Sequence, residues 1–205
     1  MAGAVVVGVG PGIGEAVARR FSREGMSVAA ISRTGGGEGS LVLKADVRDE
    51  VALRGALDAA AKEFGTPDVV VYNAAVVRAD GVGELDAQGQ LDAWAVNVVG
   101  ALTAAAHVLP EMARRGSGSF IVTGGMPEPK PDYVSLSLGK AGVRTLVKLL
   151  DQTYGQSVHV ASVTVDGAVE AGTFFDPDDI AEHYWRLHVQ PREQWQSEVL
   201  HGVFP

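Results

Sequence analysis

Short apolar runs alternate along the chain with longer segments in which apolar residues recur every three or four positions. The short runs are rich in Val and Ile, as strands buried on both faces are. They predict strands at 4–7, 27–31, 41–44, 69–72, 119–122 and 159–165. The longer segments predict helices at 13–24, 50–64, 91–115 and 132–154.

The last part of the chain adds one helix and one strand to this pattern. Asp176 can cap a helix, Pro177 suits its first turn, and two further acids favour the positive end of the helix dipole. The stretch 198–204, EVLHGVF, predicts a short edge strand. Alternating strands and helices favour a parallel sheet with helices on both faces. We therefore expect one doubly wound, Rossmann-type α/β domain over residues 1–205, with six or seven strands.

A glycine-rich loop joins the first strand to the first helix. Glycines at 8, 12 and 14 follow the spacing G-x-x-x-G-x-G, and Ile13 opens the helix between the last two. Such a loop lets the backbone approach a pyrophosphate, and the helix start offers free N–H groups. The loop predicts a dinucleotide site at Gly8, Gly12, Ile13 and Gly14. An ordinary glycine-rich turn is the alternative.

The end of the second strand bears on the choice of cofactor. In this fold it faces the adenosine ribose, where an acid would favour NAD. The sequence there is Ile31-Ser32-Arg33-Thr34, without an acid. Arg33 can pair with a 2′-phosphate, so we expect NADP(H) to be favoured over NAD(H). The alternative is that Arg33 is a solvated loop residue.

Five segments together resemble the short-chain dehydrogenase/reductase family, over about residues 4–173. They are the glycine loop, Ala45-Asp46-Val47, Tyr72-Asn73-Ala74-Ala75, Asn97 in AVNVVGA, and Lys140 in GKAGV. The resemblance implies that Asp46 and Val47 hold the adenine and that Asn73, Ala74 and Ala75 line the cofactor pocket. It implies that Lys140 holds the nicotinamide ribose, that Asn97 binds a water in a proton relay, and that Thr173 reaches the nicotinamide carboxamide.

The same resemblance makes this chain an atypical member. Family enzymes carry a Tyr four residues before the Lys, and a Ser at the end of the fifth strand. Here Leu136 and Gly125 stand at those positions. Tyr133 lies seven residues before Lys140, on nearly the same helix face, and is a candidate replacement acid. Packing against the pocket or a neighbouring subunit is the alternative for Tyr133.

Composition excludes several other classes. The net charge is −8 without a run of basic residues, which argues against nucleic-acid binding. There is no Cys, and the five His form no helical ligand pair, so we expect no metal site. The apolar runs are too short and broken for a membrane span, and the start lacks the features of a signal peptide. A cytoplasmic location fits these observations.

Two functions remain open at this stage. One is an NADP(H)-dependent oxidoreductase acting on an unknown small molecule, with Asn97, Lys140 and Tyr133 as catalytic candidates. The other is a non-catalytic NADP(H)-binding sensor or partner subunit. The helices 91–115 and 132–154 carry small apolar residues (Ala101, Ala104, Ala105 and Gly142). Because similar helices form the dimer interface in the family, we expect a homodimer or homotetramer.

Overall fold

A computed structural model describes residues 3–202 and places seven strands in one sheet. Every pairing between neighbouring strands is parallel. The strand order is β3-β2-β1-β4-β5-β6-β7. The strands are β1 (Gly3–Val7), β2 (Ser27–Ser32), β3 (Leu41–Lys44), β4 (Val69–Tyr72), β5 (Ser119–Gly125), β6 (His159–Val165) and β7 (Glu198–His201).

Helices cover both faces of this sheet and enclose two hydrophobic cores. The helices are α1 (Ile13–Arg23), α2 (Glu50–Phe64), α3 (Ala87–Trp94), α4 (Gly100–Arg115), α5 (Val134–Tyr154) and α6 (Pro177–Val189). One core joins α2, α4 and α5 to the sheet. The other joins α1 and α6 to the opposite face. This arrangement confirms the doubly wound fold expected from the sequence.

A π-helical segment at Ala95–Val99 joins α3 to α4, so one helix runs from 87 to 115. This helix passes a length and hydropathy test for a membrane span, with a mean hydropathy of 1.4 over its most apolar window. Half of that window is buried inside the fold, as expected for a core helix. It is the only described helix that passes the test.

The observed boundaries differ from the predicted ones mainly at three elements: β5 continues to Gly125 beyond the predicted 119–122, the helix predicted at 132–154 begins at Val134, and the helix predicted at 91–115 begins earlier. The predicted helix 91–115 begins four residues earlier, because the Asp86 side chain accepts a hydrogen bond from the Gly89 N–H. Asp176 caps α6 as predicted, through the Asp178 N–H. The predicted strand at 198–204 is present as β7, while residues 203 and 204 lie outside the described part of the chain.

Candidate functional site

A cavity of about 850 Å³ opens at the carboxyl ends of the strands. The strand order reverses between β1 and β4, and the chain leaves these two strands towards opposite sides of the sheet. Parallel α/β sheets bind ligands in the crevice at such a reversal. The cavity runs from the glycine loop after β1, past the end of β4, to the ends of β5 and β6 and to Lys140 on α5.

The glycine loop forms one end of the cavity. Gly8 has a φ of +92°, and a Cβ there would come within 2.6 Å of the Ala74 Cα. Gly12 has a φ of +103° at the start of α1. Gly14 is buried below the loop, where a Cβ would lie 2.9 Å from the Val9 Cα. A Cβ at Gly10 would meet nothing within 4 Å, and one at Gly12 would meet Val169 Cγ1 at 3.9 Å, so the loop leaves room for a ligand above the N-terminus of α1.

Asn73 and Thr123 link the ends of three strands beneath this cavity. The Asn73 amide donates to the Gly8 carbonyl at 2.9 Å, and its Oδ1 accepts from the Thr123 hydroxyl at 2.8 Å. Because that hydroxyl proton is already used, the Tyr184 hydroxyl is the donor in its 2.7 Å bond to Thr123 Oγ1. The network fixes Asn73, which lines the cavity beside Ala74 and Ala75.

Lys140 is the most buried charged group of the cavity wall. Its exposed fraction is 7%, and its Nζ donates to the Thr123 carbonyl oxygen at 2.6 Å. Burial lowers the pKa of the Lys140 ammonium to about 8. The ammonium therefore lies at the end of β5. Its pKa is close enough to neutral pH for the group to give up a proton there.

Asn97 lies behind this wall, in the π-helical segment, and does not line the cavity itself. Its Oδ1 accepts from the Val76 N–H at 2.7 Å, and its buried Nδ2 has no protein partner. The π-turn leaves the Val96 carbonyl to accept from the Tyr72 hydroxyl at 2.6 Å. A Cβ on Gly139 would come within 2.8 Å of Asn97, so α5 packs directly on this side chain.

The segment before Lys140 carries the other candidates for chemistry. Leu136 is 3% exposed and lines the cavity one helical turn before Lys140. Gly125 ends β5, and a Cβ there would lie 3.6 Å from the Lys140 Cε. Tyr133 is the N-cap residue of α5 and also lines the cavity. The Ser137 hydroxyl is bound to Lys130, accepting from its N–H at 3.0 Å and donating to its carbonyl at 3.3 Å.

Arg33 directly follows β2 and lines the cavity, as Gly12 and Ile13 of the glycine loop do. Val47 also lines the cavity, whereas Asp46 does not. The Asp46 carboxylate is held by Arg48, whose Nη2 lies 2.7 Å from Asp46 Oδ2. Hydrogen bonds from Arg48 hold the pKa of Asp46 below its usual range, with a smaller contribution from the charge of Arg33.

Thr173 also lies away from this wall, as the predicted residues Gly14, Asp46 and Asn97 do. It is exposed, and its hydroxyl donates to the Glu170 carbonyl at 2.8 Å. The cavity wall after β6 is formed by residues 166–169 instead. The family resemblance implies Pro-Gly where this chain has Asp166-Gly167. This difference was the signal in the sequence that the loop follows a different path.

Four polar residues of this region were missed by the sequence reasoning. Lys130 and Asp166 line the cavity, with their charged atoms 4.0 Å apart. Arg144 donates from one nitrogen to the carbonyls of Gly125 and Met126, both at 2.9 Å. Asp80 is 1% exposed and binds the start of α5. No family motif contains these positions, and only the Lys-to-Arg spacing of one helical turn hints at the role of Arg144.

Within residues 3–202 no group of three His, Asp or Glu side chains could hold a metal ion. His183 pairs with His201 at 2.9 Å, and His159 contacts backbone carbonyls. His107 and His188 contact the side chains of Asp58 and Ser119.

Comparison with known proteins begins with sequence. A family profile described as short chain dehydrogenase matches residues 2–174. The chain is 31% identical to oxidoreductase UcpA of Salmonella typhimurium, over 75% of this chain and 64% of the relative. It is 30% identical to cis-4-hydroxycyclohexanecarboxylate dehydrogenase of Sinomonas cyclohexanicum, over 75% of this chain and 68% of the relative. The chain thus spans about two thirds of the length of these relatives.

Solved structures agree with the fold over its whole length. A metagenomic short-chain oxidoreductase in complex with NADP superposes with a TM-score of 0.85 at 25% identity, covering 97% of this chain and 95% of that one. A 3-ketoacyl-(acyl-carrier-protein) reductase of Brucella melitensis, complexed with NADH, gives a TM-score of 0.88 at 20% identity, covering 98% and 97%. The glycine loop, the fold and the matched profile together place this chain in the short-chain dehydrogenase family, whose members bind NAD(P).

Proposed function

We propose that the chain is an NADP(H)-dependent oxidoreductase that transfers a hydride to or from a small molecule. The observation that carries this proposal is one continuous cavity that reaches from the glycine loop to Lys140. A cavity of about 850 Å³ has room for a dinucleotide and leaves some space beside its reactive end. The whole chain, residues 1–205, would then act as one nucleotide-binding domain.

The residues present fit such a cofactor. The open space above Gly10 and Gly12 would take the pyrophosphate at the N-terminus of α1. Val47, Ala74 and Ala75 would line the adenosine half, where Asp46 can contribute only through its backbone or its pair with Arg48. When bound, the nicotinamide would supply the hydride, and the protein would orient it and manage the proton.

Arg33 supports a preference for NADP(H) over NAD(H). It lies at the cavity wall after β2, where the family fold places the ribose 2′ position. The nearby Asp46 carboxylate is already neutralised by Arg48, so it would repel a 2′-phosphate less than a free carboxylate would. The planar guanidinium of Arg33 would bind the phosphate in a bidentate manner.

The end of the cavity around Lys140 differs from the family pattern in its side chains. We infer that Leu136 and Gly125 occupy the positions of the family's Tyr and Ser, because both lie beside Lys140 at the cavity wall. Neither side chain can donate a proton. Asn97 would support Lys140 through a bound water at its free Nδ2, and Tyr133 is a candidate acid at the cavity wall. Thr173 would reach the carboxamide only after movement of the 166–176 segment.

The same two residues favour the second candidate function, a non-catalytic NADP(H)-binding sensor or partner subunit. Without the phenol, such a site would lack the factor of about 10²–10⁴ that a positioned proton donor typically contributes. A protein that only binds the cofactor would keep the glycine loop, Arg33 and Lys140. It would bind NADPH and leave carbonyl compounds unreduced.

Calorimetric titration with NADPH and NADH tests the cofactor assignment. We expect NADPH to bind more tightly, and Arg33→Ala to weaken NADPH binding by about tenfold or more with little effect on NADH, since a charge-assisted pair contributes about 1.5–3 kcal/mol. Arg23→Ala, at the exposed end of α1, is the matched control. Failure of both nucleotides to bind would reject both candidate functions, and equal binding would reject the role of Arg33.

We further propose that the chain forms a homodimer or homotetramer through the two long helical segments 91–115 and 132–154. Support comes from large apolar side chains that are exposed on both (Leu91, Trp94, Val99, Leu102, Leu138 and Leu149). The small residues expected at this interface do not contribute to it. Ala101, Ala104 and Ala105 are fully buried in the chain's own core, and Gly142 packs against Trp94.

A further inference from the structure

We propose that Lys140 is itself the proton donor of this site, and not only a support for the cofactor and for a neighbouring acid. The inference rests on the proposed function and names the residue that completes its chemistry. It starts from the composition of the cavity wall around Lys140, where Leu136 and Gly125 leave no hydroxyl on the two nearest positions.

Apart from the Tyr133 phenol, three hydroxyls near Lys140 within the described residues 3–202 are already engaged elsewhere. The Thr123 hydroxyl donates to Asn73 at 2.8 Å and accepts from Tyr184 at 2.7 Å. Ser137, on the turn before Lys140, exchanges two hydrogen bonds with the Lys130 backbone. Ser135 donates to the buried Asp80 carboxylate at 2.9 Å. None of these hydroxyls can turn towards a substrate without leaving a buried polar group unpaired.

Tyr133 is the remaining phenol at the cavity wall, but it stands at the wrong end of the helix. It is the N-cap residue of α5, with φ −144°, and precedes Lys140 by two helical turns. Seven residues of helix correspond to about 10 Å along the axis. Lys140 therefore cannot share its proton with Tyr133 in the way that two residues one turn apart can.

Lys140 itself has the position that a donor needs. Its Nζ is held by one hydrogen bond to the Thr123 carbonyl at 2.6 Å, so two of its three N–H groups are free of protein partners in the described chain. The missing side chain of Gly125 opens the space beside it, since a Cβ there would lie 3.6 Å from the Lys140 Cε. A carbonyl oxygen at the end of β5 would thus meet an ammonium directly.

The charges around Lys140 do not prevent this role. Its pKa of about 8 comes from burial, without a contribution from a neighbouring charge. A lysine in this range is charged at neutral pH and gives up its proton far more readily than an exposed one. The charged and titratable groups of the adjoining segments are Lys130, Tyr133, Arg144, Asp166 and Tyr184.

The proton and electron balance of the step is simple. When bound, NADPH would supply the hydride that adds to the carbonyl carbon of the substrate, with the carbonyl π electrons moving to the oxygen. That oxygen would take a proton from the Lys140 ammonium, which would leave a neutral amine, an alcohol and NADP⁺. Solvent in the cavity then returns a proton to the amine. Oxidation of the alcohol is the reverse, with the neutral amine as the base.

The first test measures Lys140 without any turnover. In protein labelled with ¹⁵N at the lysine side chains, the Lys140 Nζ resonance is assigned by its loss in Lys140→Met and followed from pH 6 to pH 11. We expect a midpoint near 8 for Lys140, well below the usual value of 10.5. A Lys140 midpoint above 10 would overturn the proposal.

The second test follows the rate of NADPH oxidation with 4-nitrobenzaldehyde, at NADPH concentrations that saturate each variant. We expect the wild-type rate to fall tenfold per pH unit above about pH 8, and Lys140→Met to lower the rate at pH 7 by at least 10²-fold. Lys140→Arg keeps a charge that can hold the cofactor but cannot release its proton, so it should not restore the rate. Lys148→Met is the matched control.

The outcomes separate this proposal from the function on which it rests. A rate that survives in Lys140→Arg, or a pH-dependent phase that is lost in Tyr133→Phe and kept in Lys140→Met, would overturn Lys140 as the donor. NADPH binding with no aldehyde reduction in the wild type would also overturn it, while leaving cofactor binding intact. An absence of NADPH binding would instead reject the proposed function.

Discussion

Gly125 and Leu136 differ in how much room each leaves for another side chain. The position of a Cβ on Gly125 is 3.4 Å from the Val165 carbonyl oxygen and 3.6 Å from the Lys140 Cε, which are ordinary contact distances. Leu136 is buried, but it faces the cavity, into which a longer side chain could extend. The backbone is therefore compatible with Ser and Tyr at these positions.

Replacing both residues tests what the site has lost. Gly125→Ser with Leu136→Tyr should raise NADPH-dependent aldehyde reduction by about 10²–10⁴-fold, because a phenol one turn before Lys140 would supply a second proton donor. Steady-state rates with 4-nitrobenzaldehyde measure the gain. Gly125→Ser alone is the control and should give a much smaller increase. An unchanged rate in a double variant that still binds NADPH would contradict the assignment of these positions.

The burial of Lys140 also has a consequence for stability. Its pKa falls from 10.5 to about 8 on folding, so the unfolded chain binds more protons between these values, and stability rises with pH across this window. Below pH 8 the buried charge keeps its full cost. We expect Lys140→Met to stabilise the fold at pH 7 by roughly 1–3 kcal/mol and to flatten the dependence between pH 8 and 10. Urea unfolding at several pH values measures this, and a wild-type stability without a rise in the window would contradict it.

At the scale of single elements, the start of α5 depends on a residue from a distant loop. The Asp80 carboxylate accepts from the Ser135 N–H at 3.0 Å and from its hydroxyl at 2.9 Å. The Asp80 backbone also pairs with Asp132 and Val134, each at 3.0 Å. The buried Asp80 carboxylate thus acts as the N-terminal cap of α5, because the side chain of the N-cap residue Tyr133 makes no capping bond.

Removing this carboxylate should loosen the helix that carries Lys140. We expect Asp80→Ala to lower the free energy of unfolding by about 1–3 kcal/mol, because two buried donors of Ser135 lose their partner. Asp80→Asn keeps one acceptor and should cost less. Urea unfolding compares the two, with the exposed cap Asp86→Ala as a reference. Equal stability of Asp80→Ala and the wild type would show that α5 does not need this cap.

The elements themselves could be predicted well from the sequence, and the site only in part. The apolar runs of β3, β4 and β6 and the helix α2 have the predicted boundaries, because buried strands and capped helices leave local signals. Long-range contacts leave none. Asp80 lies 55 positions before Ser135, and the local sequence around either residue does not indicate their hydrogen bond. The local sequence does not indicate the π-turn around Asn97 either, because Tyr72 and Gly139 of other elements fix it.

At the scale of the whole molecule, the two faces of the sheet differ in what they leave exposed. The face with α4 and α5 presents a groove between Leu91, Trp94 and Leu138. Half-exposed apolar side chains extend from this groove along both helical segments, and contiguous exposed apolar surface marks interaction sites. In the proposed oligomer, a second copy of the chain would occupy this groove.

A charge in this groove should disrupt the assembly. Leu138 is 55% exposed, so Leu138→Glu costs little in the folded monomer, but it would bury a charge at a dimer interface. We expect sedimentation analysis to show a dimer or tetramer for the wild type and a shift towards monomer for the variant. Val189→Glu, 51% exposed on α6, is the control and should keep the wild-type mass. A wild type that sediments as a monomer would reject the proposed oligomer.

Thr123 connects the two faces through a single residue. Its carbonyl holds Lys140 on α5, and its hydroxyl holds Asn73 and the buried Tyr184 on α6. The cavity wall and the outer helix of the opposite layer are therefore joined by hydrogen bonds to one residue. If a ligand in the cavity restrains Lys140 and Asn73, we expect slower amide hydrogen exchange in α6, a helix that does not line the cavity.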